Sequence, residues 1–194
     1  MEPAPIVLIT GANRGLGFAT AKELLLTTNF HIIVGSRHSS NGNQAVEALR
    51  ALTGIQGTVS TVTIDVTSGS SIDAARSQIE RTFGRLDILV HNAGVYLLPS
   101  EPSLSYVGPK ILESTLETNI SGPARVTEAF LPLLLGRQSQ RNEGPPPRIV
   151  FFSSSMGSLS HNMNHKLSAQ WNPCYRVPHQ QGSIAYAAGQ VSWR

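Results

Sequence analysis

The feature that most constrains this chain is its regular alternation of short apolar runs with segments whose apolar residues recur at helical spacing. The first run, 6–10, is rich in β-branched residues and is followed at once by glycine, which is typical of a buried strand. Such alternation predicts βαβ units, and hence an α/β fold with a doubly wound parallel sheet in three α/β/α layers. Strands are predicted at 6–10, 30–34, 58–66, 86–90 and 148–152, and helices at 16–27, 43–52, 70–83 and 110–135, the third of them capped by Ser70 or Ser71.

Composition sets the class of protein. The chain has 194 residues, 40% hydrophobic and 14% charged, which suits a single domain over residues 1–194 and argues against disorder. The net charge is only +3 and the basic residues are scattered, so neither a nucleic-acid nor an anionic-lipid surface is expected. No apolar run approaches the roughly 20 residues that cross a membrane. The single cysteine, Cys174, and an opening without a basic region indicate a reducing, cytoplasmic setting rather than secretion.

A glycine-rich turn joins the first predicted strand to the first helix. It reads Thr10-Gly11-Ala12-Asn13-Arg14-Gly15-Leu16-Gly17. Glycine tolerates positive φ and lets a backbone approach a ligand closely, and a helix N-terminus presents free N–H groups to an anion. The turn therefore suits a pyrophosphate, although a purely structural turn would also use three glycines.

Several short motifs, in order along the chain, resemble those of the classical short-chain dehydrogenase/reductase family. The glycine turn is similar to the family's cofactor-binding turn, and Asp65 after the third strand is similar to the acidic residue that holds the adenine ring. The resemblance covers most of the chain, and it implies a Rossmann-like fold that binds NAD or NADP. By this resemblance the cofactor-binding residues are Gly11, Asn13, Arg14, Gly15, Leu16, Gly17, Asp65 and, in the N-A-G motif after the fourth strand, Asn92, Ala93 and Gly94.

The same resemblance implies three catalytic residues. Asn119, in the fourth helix, matches the catalytic asparagine that would support a water or backbone relay. Ser154, after the fifth strand, matches the serine that hydrogen-bonds the substrate oxygen, and Tyr186 matches the tyrosine that exchanges a proton with it. Taken singly, they could also be a solvated helix position, one loop serine among several and a surface tyrosine. The implied activity is hydride transfer between a nicotinamide and a small-molecule carbonyl or alcohol.

Charge at the end of the second strand favours NADP over NAD. An acidic residue there would bind a free ribose 2′-hydroxyl, but the strand ends instead in Ser36-Arg37. Arg37 can bind a 2′-phosphate with its planar fork, Ser36 can donate to it, and Arg14 adds a second positive charge. Both arginines could instead be solvated surface residues. Arg125 is a further candidate on the cofactor side, with an exposed helix cation as the alternative.

One departure from the family pattern bears on catalysis. The family motif places a lysine one helical turn after the tyrosine, so that both side chains face the same way. Here Tyr186 is followed at that position by Gln190. Glutamine can hydrogen-bond a ribose hydroxyl but carries no charge, so the tyrosine is expected to stay protonated and to be a poor base. The alternative hypothesis is therefore a catalytically impaired or dead NADP-binding module.

The end of the chain is the second departure. Relatives usually continue with two more strands and helices that shape the substrate pocket, so the last strands of the family fold are expected to be missing. A helix over 183–194 would be too short to be stable without packing, and the fifth strand would be left as an exposed edge. Gln190-Val191-Ser192 can be encoded CAG-GTA-AGT, which resembles an intron donor, so we hypothesise a truncated gene product. A homo-oligomer is possible in full-length relatives, and the oligomeric state of this chain is left open.

A long loop is predicted at 157–182, where no clear period is found. It contains His161, His165 and His179 together with Cys174. Their spacing matches no zinc-binding pattern, so no metal site is predicted.

Overall fold

The computed structural model describes residues 4–97, 108–136 and 146–154. The chain divides into two compact units, Met1–Leu97 with Leu112–Phe152, and Leu98–Ile111 with Ser153–Arg194. The described residues of the second unit are 108–111 and 153–154. A single domain over residues 1–194 stays a prediction.

Strand and helix alternate along the described chain, as predicted. The strands are β1 (Ile6–Ile9), β2 (His31–Ser36), β3 (Thr58–Thr63), β4 (Ile88–His91) and β5 (Arg148–Phe151). The helices are α1 (Gly15–Thr27), α2 (Ser39–Arg50), α3 (Gly69–Phe83), α4 (Pro109–Leu116) and α5 (Gly122–Leu135), with a π-helical turn, Glu117–Ser121, between α4 and α5.

The strands form one parallel sheet in the order β3-β2-β1-β4-β5. From β1 the chain runs outward through β2 to β3 and then returns to β4, on the other side of β1. In a doubly wound sheet the ligand crevice lies at the carboxyl ends of the strands where the order reverses. The segments that follow β1 and β4 are therefore the first place to look for a site.

The core lies on both faces of this sheet. Ile6 and Leu8 of β1 pack in one apolar cluster with residues of α3 and α5, whereas Val7 and Ile9 pack in another with residues of α1 and α2. Successive strand residues point to opposite faces, so a strand covered on both sides must be apolar throughout. The predicted three-layer α/β fold is confirmed, while the expected absence of the family's last strands concerns residues beyond the described ones.

The N-terminal ends of α2 and α3 differ from the prediction in ways that the contacts explain. The cap of α3 is Ser68, whose hydroxyl accepts a hydrogen bond from the N–H of Ser71, so the prediction of Ser70 or Ser71 as the cap is wrong. The second helix begins at Ser39 rather than Asn43. Gly42 lies against Thr61 of β3 there, at a position where a Cβ would collide with the threonine hydroxyl. Close packing of α2 on the sheet thus extends the helix through residues of low helix propensity.

Candidate functional site

The glycine turn after β1 and the N-A-G segment after β4 lie side by side, because β1 and β4 are neighbouring strands. Gly11 has φ +66°, a conformation that residues with a side chain rarely adopt. A Cβ on Gly11 would lie 2.9 Å from Cα of Ala93. A glycine is therefore required at position 11 by both its dihedral angle and its neighbour.

Polar contacts fasten these two segments to each other. The side-chain amide of Asn92 donates to the carbonyl oxygens of Thr10 and Gly11, at 2.9 and 3.1 Å. The hydroxyl oxygen of Thr10 accepts hydrogen bonds from the N–H groups of Asn92 and Ala93, each at 3.1 Å. Gly17 leaves room for this arrangement, since a Cβ there would collide with the Asn92 amide. The turn is thus held in one conformation before any ligand binds.

The N-terminus of α1 is open to an anion. Its cap residue, Arg14, is extended, no side chain among the described residues caps the helix, and the first turn contains no acidic residue. Gly15 has φ +62° with no described heavy atom within 4 Å of the position a Cβ would take, and Arg14 and Leu16 are exposed. Free N–H groups and the helix dipole favour a negative group at such an end. Asn13, in the middle of the turn, is partly buried.

A second cluster lies where β2 and β3 end. The carboxylate of Asp65 accepts hydrogen bonds from the N–H and the hydroxyl of Thr67, at 2.9 and 2.7 Å. Burial acts to raise the pKa of Asp65, but the Thr67 hydrogen bonds and the charges of Arg37 and His38 outweigh it, and the pKa is lowered. The Arg37 side chain is exposed and close enough to act on this carboxylate. The edge of the site therefore carries both signs of charge.

Ser36 is placed differently from Arg37. It is buried, and its hydroxyl donates to the carbonyl oxygen of His38 at 3.0 Å. A phosphate could receive this proton only if that hydrogen bond were replaced. Arg37 is therefore the better placed of the two for contact with a ligand.

Asn119 lies in the π-helical turn and holds the chain that leaves the N-A-G segment. Its amide donates to the carbonyl oxygen of Val95 and accepts from the N–H of Val95, both at 2.8 Å. Gly94 lies beside it, at 3.4 Å between Asn119 Oδ1 and the position a Cβ would take. The side chain of Asn119 thus has a positioning role, which leaves its backbone to any relay.

Arg125 lies in the first turn of α5. One guanidinium nitrogen, Nη2, binds Oε1 of Glu117 at 2.6 Å. The Nη1 nitrogen is buried and has no hydrogen-bond partner among the residues that the structure describes. A direct contact between Arg125 and a cofactor stays a prediction.

The other predicted site residues lie at the end of the described residues or outside them. Ser154 follows β5 and belongs to the smaller unit. Tyr186 and Gln190 lie outside the described residues, as do the predicted loop at 157–182 and its histidines. Within residues 4–97, 108–136 and 146–154, no group of three or more His, Cys, Asp or Glu residues could hold a metal ion.

Sequence reasoning missed the roles of three residues that organise this site. Thr10 belongs to the predicted turn, but its hydroxyl also organises the N-A-G segment. Val95 acts through its backbone, which no residue pattern reveals. Glu117 could have been found only from its eight-residue spacing to Arg125, which is not a contact spacing in a regular helix.

None of the helices in the described ranges combines the length and the apolar character needed to cross a membrane.

This chain is similar to known proteins over most of its length. A family model described as short chain dehydrogenase matches residues 5–169. The chain is 37% identical over 165 residues to the short-chain dehydrogenase/reductase eupG of Phoma sp, a match covering 84% of this chain and 58% of the relative. It is also 37% identical over 192 residues to the short-chain dehydrogenase anuI of Penicillium roqueforti, covering 97% of this chain and 72% of the relative.

Solved structures also resemble the fold, over a share of this chain similar to that matched by eupG. The 3-oxoacyl-[acyl-carrier protein] reductase from Brucella melitensis, in complex with NAD, has a TM-score of 0.66 and 25% identity over 80% of this chain and 57% of its own. An actinorhodin polyketide ketoreductase with NADPH has a TM-score of 0.62 and 26% identity over 82% of this chain and 57% of its own. The match to eupG and both structural matches thus span little more than half the length of those proteins.

Proposed function

Because this chain belongs to the short-chain dehydrogenase family, we propose that it binds NADP and serves hydride transfer between the nicotinamide and a carbonyl or alcohol carbon of a small molecule. The observation that carries the proposal is the preformed glycine turn. Asn92 and Thr10 fix that turn against the N-A-G segment, and it opens onto the uncapped N-terminus of α1. Backbone amides at a helix N-terminus that no described side chain caps favour a pyrophosphate.

The residues present fit a dinucleotide in three places. The turn from Gly11 to Gly17 would hold the pyrophosphate, and Asp65 would hold the adenine end. The N-A-G segment would form the opposite wall of the cofactor site. When bound, the nicotinamide supplies or accepts the hydride. The chain's own residues would bind and orient the substrate and move a proton. Ser154 would hold the substrate oxygen, and Tyr186 would exchange a proton with it.

The preference for NADP over NAD depends on Arg37 and Arg14. No acidic side chain occupies the end of β2, where it would repel a 2′-phosphate. Arg37 is exposed beside Asp65 and can reach outward, and Arg14 lies at the N-terminus of α1, which would face the pyrophosphate. A guanidinium matches the geometry of a phosphate with two N–H groups at once.

NADPH is expected to bind this chain at least about tenfold more tightly than NADH, because a charge-assisted hydrogen bond is worth about 1.5–3 kcal/mol. Arg37→Asp should reverse the order, since a carboxylate repels the 2′-phosphate and accepts from a free ribose hydroxyl. Fluorescence titration of both nucleotides measures this directly. Arg81→Asp, at an exposed position near the end of α3, is the matched control and should keep the wild-type order. Equal affinities in the wild-type chain would remove the charge argument.

The second candidate function is an NADP-binding module that does not turn over, and Gln190 favours it. A tyrosine phenol with an ordinary pKa near 10 needs a neighbouring positive charge to act as a base near neutral pH. By the resemblance to the family motif, Gln190 would take the place of the lysine that supplies that charge, and it is neutral. Reduction of a carbonyl, in which the tyrosine gives up its proton, is the direction less affected.

Gln190→Lys separates the two candidates. If the chain is an impaired enzyme, this change should raise turnover of a carbonyl substrate by about tenfold or more, because a preorganised charge near the reacting oxygen is worth several kcal/mol. Turnover is measured as NADPH oxidation with a panel of aldehydes and ketones. Gln78→Lys, at an exposed position on α3, controls for the added charge. A Gln190→Lys variant that binds NADPH but still turns nothing over would support the binding module.

The single cysteine favours a reducing compartment such as the cytoplasm. The scattered basic residues give no reason to expect nucleic acid as a partner.

A further inference from the structure

The helical run from α4 to α5 contains one turn that is wider than the rest. The N–H of Gly122 donates to the carbonyl oxygen of Glu117, so this hydrogen bond spans five residues instead of the usual four. The wider turn therefore holds one extra residue. Turns of this kind occur mostly as single inserts in α-helices, often at functional sites.

The insert changes which side chains can meet. In a regular helix, residues eight apart are rotated by about 80° from each other after two turns, so their side chains lie on different faces. One inserted residue makes eight positions equivalent to about seven, and residues seven apart share a face. Glu117 and Arg125 are related in this way, and their side chains meet at 2.6 Å. The wide turn therefore brings the two side chains closer to one line along the helix, and a regular helix would turn them apart.

Asn119 lies inside the segment that the ion pair spans. Both hydrogen bonds of its amide go to the backbone of Val95, the residue directly after the N-A-G motif. If the turn returned to regular helix, every residue beyond the insert would rotate by about 100° relative to the part before it. Asn119 would then lose its alignment with Val95, and the N-A-G segment would lose its anchor on this side.

We propose that the Glu117–Arg125 ion pair is a positioning device. It holds the wide turn in the conformation that keeps Asn119 on Val95, and through Val95 it fixes the N-A-G wall of the cofactor site. Arg125 is then a positioning residue rather than a ligand of the cofactor. The nucleotide part of this inference rests on the proposed function, whereas the effect on Val95 does not.

Backbone amide exchange, followed by NMR in the full chain without nucleotide, tests the inference. Glu117→Gln removes the charge and keeps the shape, so the Val95 amide should exchange about tenfold faster while the amides of β1 are unchanged. Arg125→Gln should do the same. Arg125→Lys keeps the charge and should restore most of the protection. Glu80→Gln is the matched control, because it removes an Arg–Glu pair of the same 2.6 Å length from the exposed face of α3.

Salt gives a second readout. The two side chains are 40% and 42% exposed, so about 1 M salt should screen the pair. Salt should therefore speed Val95 exchange in the wild-type chain and have no such effect in Glu117→Gln. If the pair were purely structural, its removal would lower the midpoint of unfolding without this local, salt-dependent change at Val95.

NADPH titration completes the test. Glu117→Gln should weaken NADPH binding about fivefold, because a smaller fraction of molecules holds the competent wall. The positioning role is overturned if the Val95 amide exchanges no faster in Glu117→Gln than in the wild-type chain. It is also overturned if Glu80→Gln speeds Val95 exchange as much as Glu117→Gln does. If the wild-type chain binds no NADPH, the proposed function fails, and the exchange data still decide the role of the ion pair.

Discussion

Gly11→Ala is expected to lower the free energy of unfolding by about 3 kcal/mol and to abolish NADPH binding. The change imposes two costs. An alanine at φ +66° is strained by about 1–2 kcal/mol, and its Cβ would lie 2.9 Å from Cα of Ala93, a backbone atom that cannot swing away. Any relief must move the turn off the N-A-G segment and break the contacts that Asn92 makes with it.

A second glycine separates these two costs. Gly84, the C-cap of α3, has the same φ of +66°, but no heavy atom of the described residues lies within 4 Å of the position of its Cβ. Gly84→Ala should therefore show the dihedral strain alone, about 1–2 kcal/mol, with NADPH affinity unchanged. Urea unfolding of both variants gives the two free energies. If the two variants lose the same stability, the turn is not packed against Ala93 as the structure has it.

The strand positions and the glycine turn were predictable because their signals are local. Apolar, β-branched runs such as Ile6–Ile9 have few alternatives to a buried strand. A glycine directly after such a run marks a turn whatever its tertiary surroundings. The carboxyl ends of the strands in a doubly wound sheet follow from topology, and this is where the candidate site is proposed.

The details that failed have two causes: several local signals of equal strength, and contacts distant in sequence. Three serines, Ser68, Ser70 and Ser71, all suit a helix cap, and the backbone of the folded chain selected Ser68. The wide turn at Glu117–Ser121 brings Asn119 to Val95, which lies in another part of the chain. No window of sequence around Asn119 contains that partner, so the sequence alone predicts an unbroken helix.

Acidification is expected to destabilise the chain through His91, at the end of β4. This side chain is 4% exposed, its Nε2 lies 2.9 Å from the hydroxyl of Thr127, and its ring stacks on Phe151 with the centroids 4.6 Å apart. Within the part of the chain that the structure describes, Nδ1 has no hydrogen-bond partner. A proton added there would be a buried donor without an acceptor, and burial lowers the pKa of His91 from 6.5 to about 4.

The sign of the effect follows from linkage. Between pH 6.5 and about 4 the unfolded chain binds a proton at His91 and the folded chain does not, so the stability is complete above pH 6.5 and falls as the pH is lowered. The loss from this residue should reach about 3 kcal/mol near pH 4. His31, whose pKa is also lowered by burial and by the charge of Arg50, adds a loss of the same sign.

Urea unfolding measured at intervals from pH 7 to pH 4 isolates the His91 share. His91→Gln cannot take up the proton, so its stability should fall less steeply over this range than that of the wild-type chain, even if it starts lower. His31→Gln is the control for removing a histidine elsewhere, and it should remove only the smaller, additional part of the slope. A wild-type slope that His91→Gln leaves intact would show that the buried ring takes up its proton without cost. The stacking on Phe151 and the missing partner of Nδ1 would then not describe the end of β4 in solution.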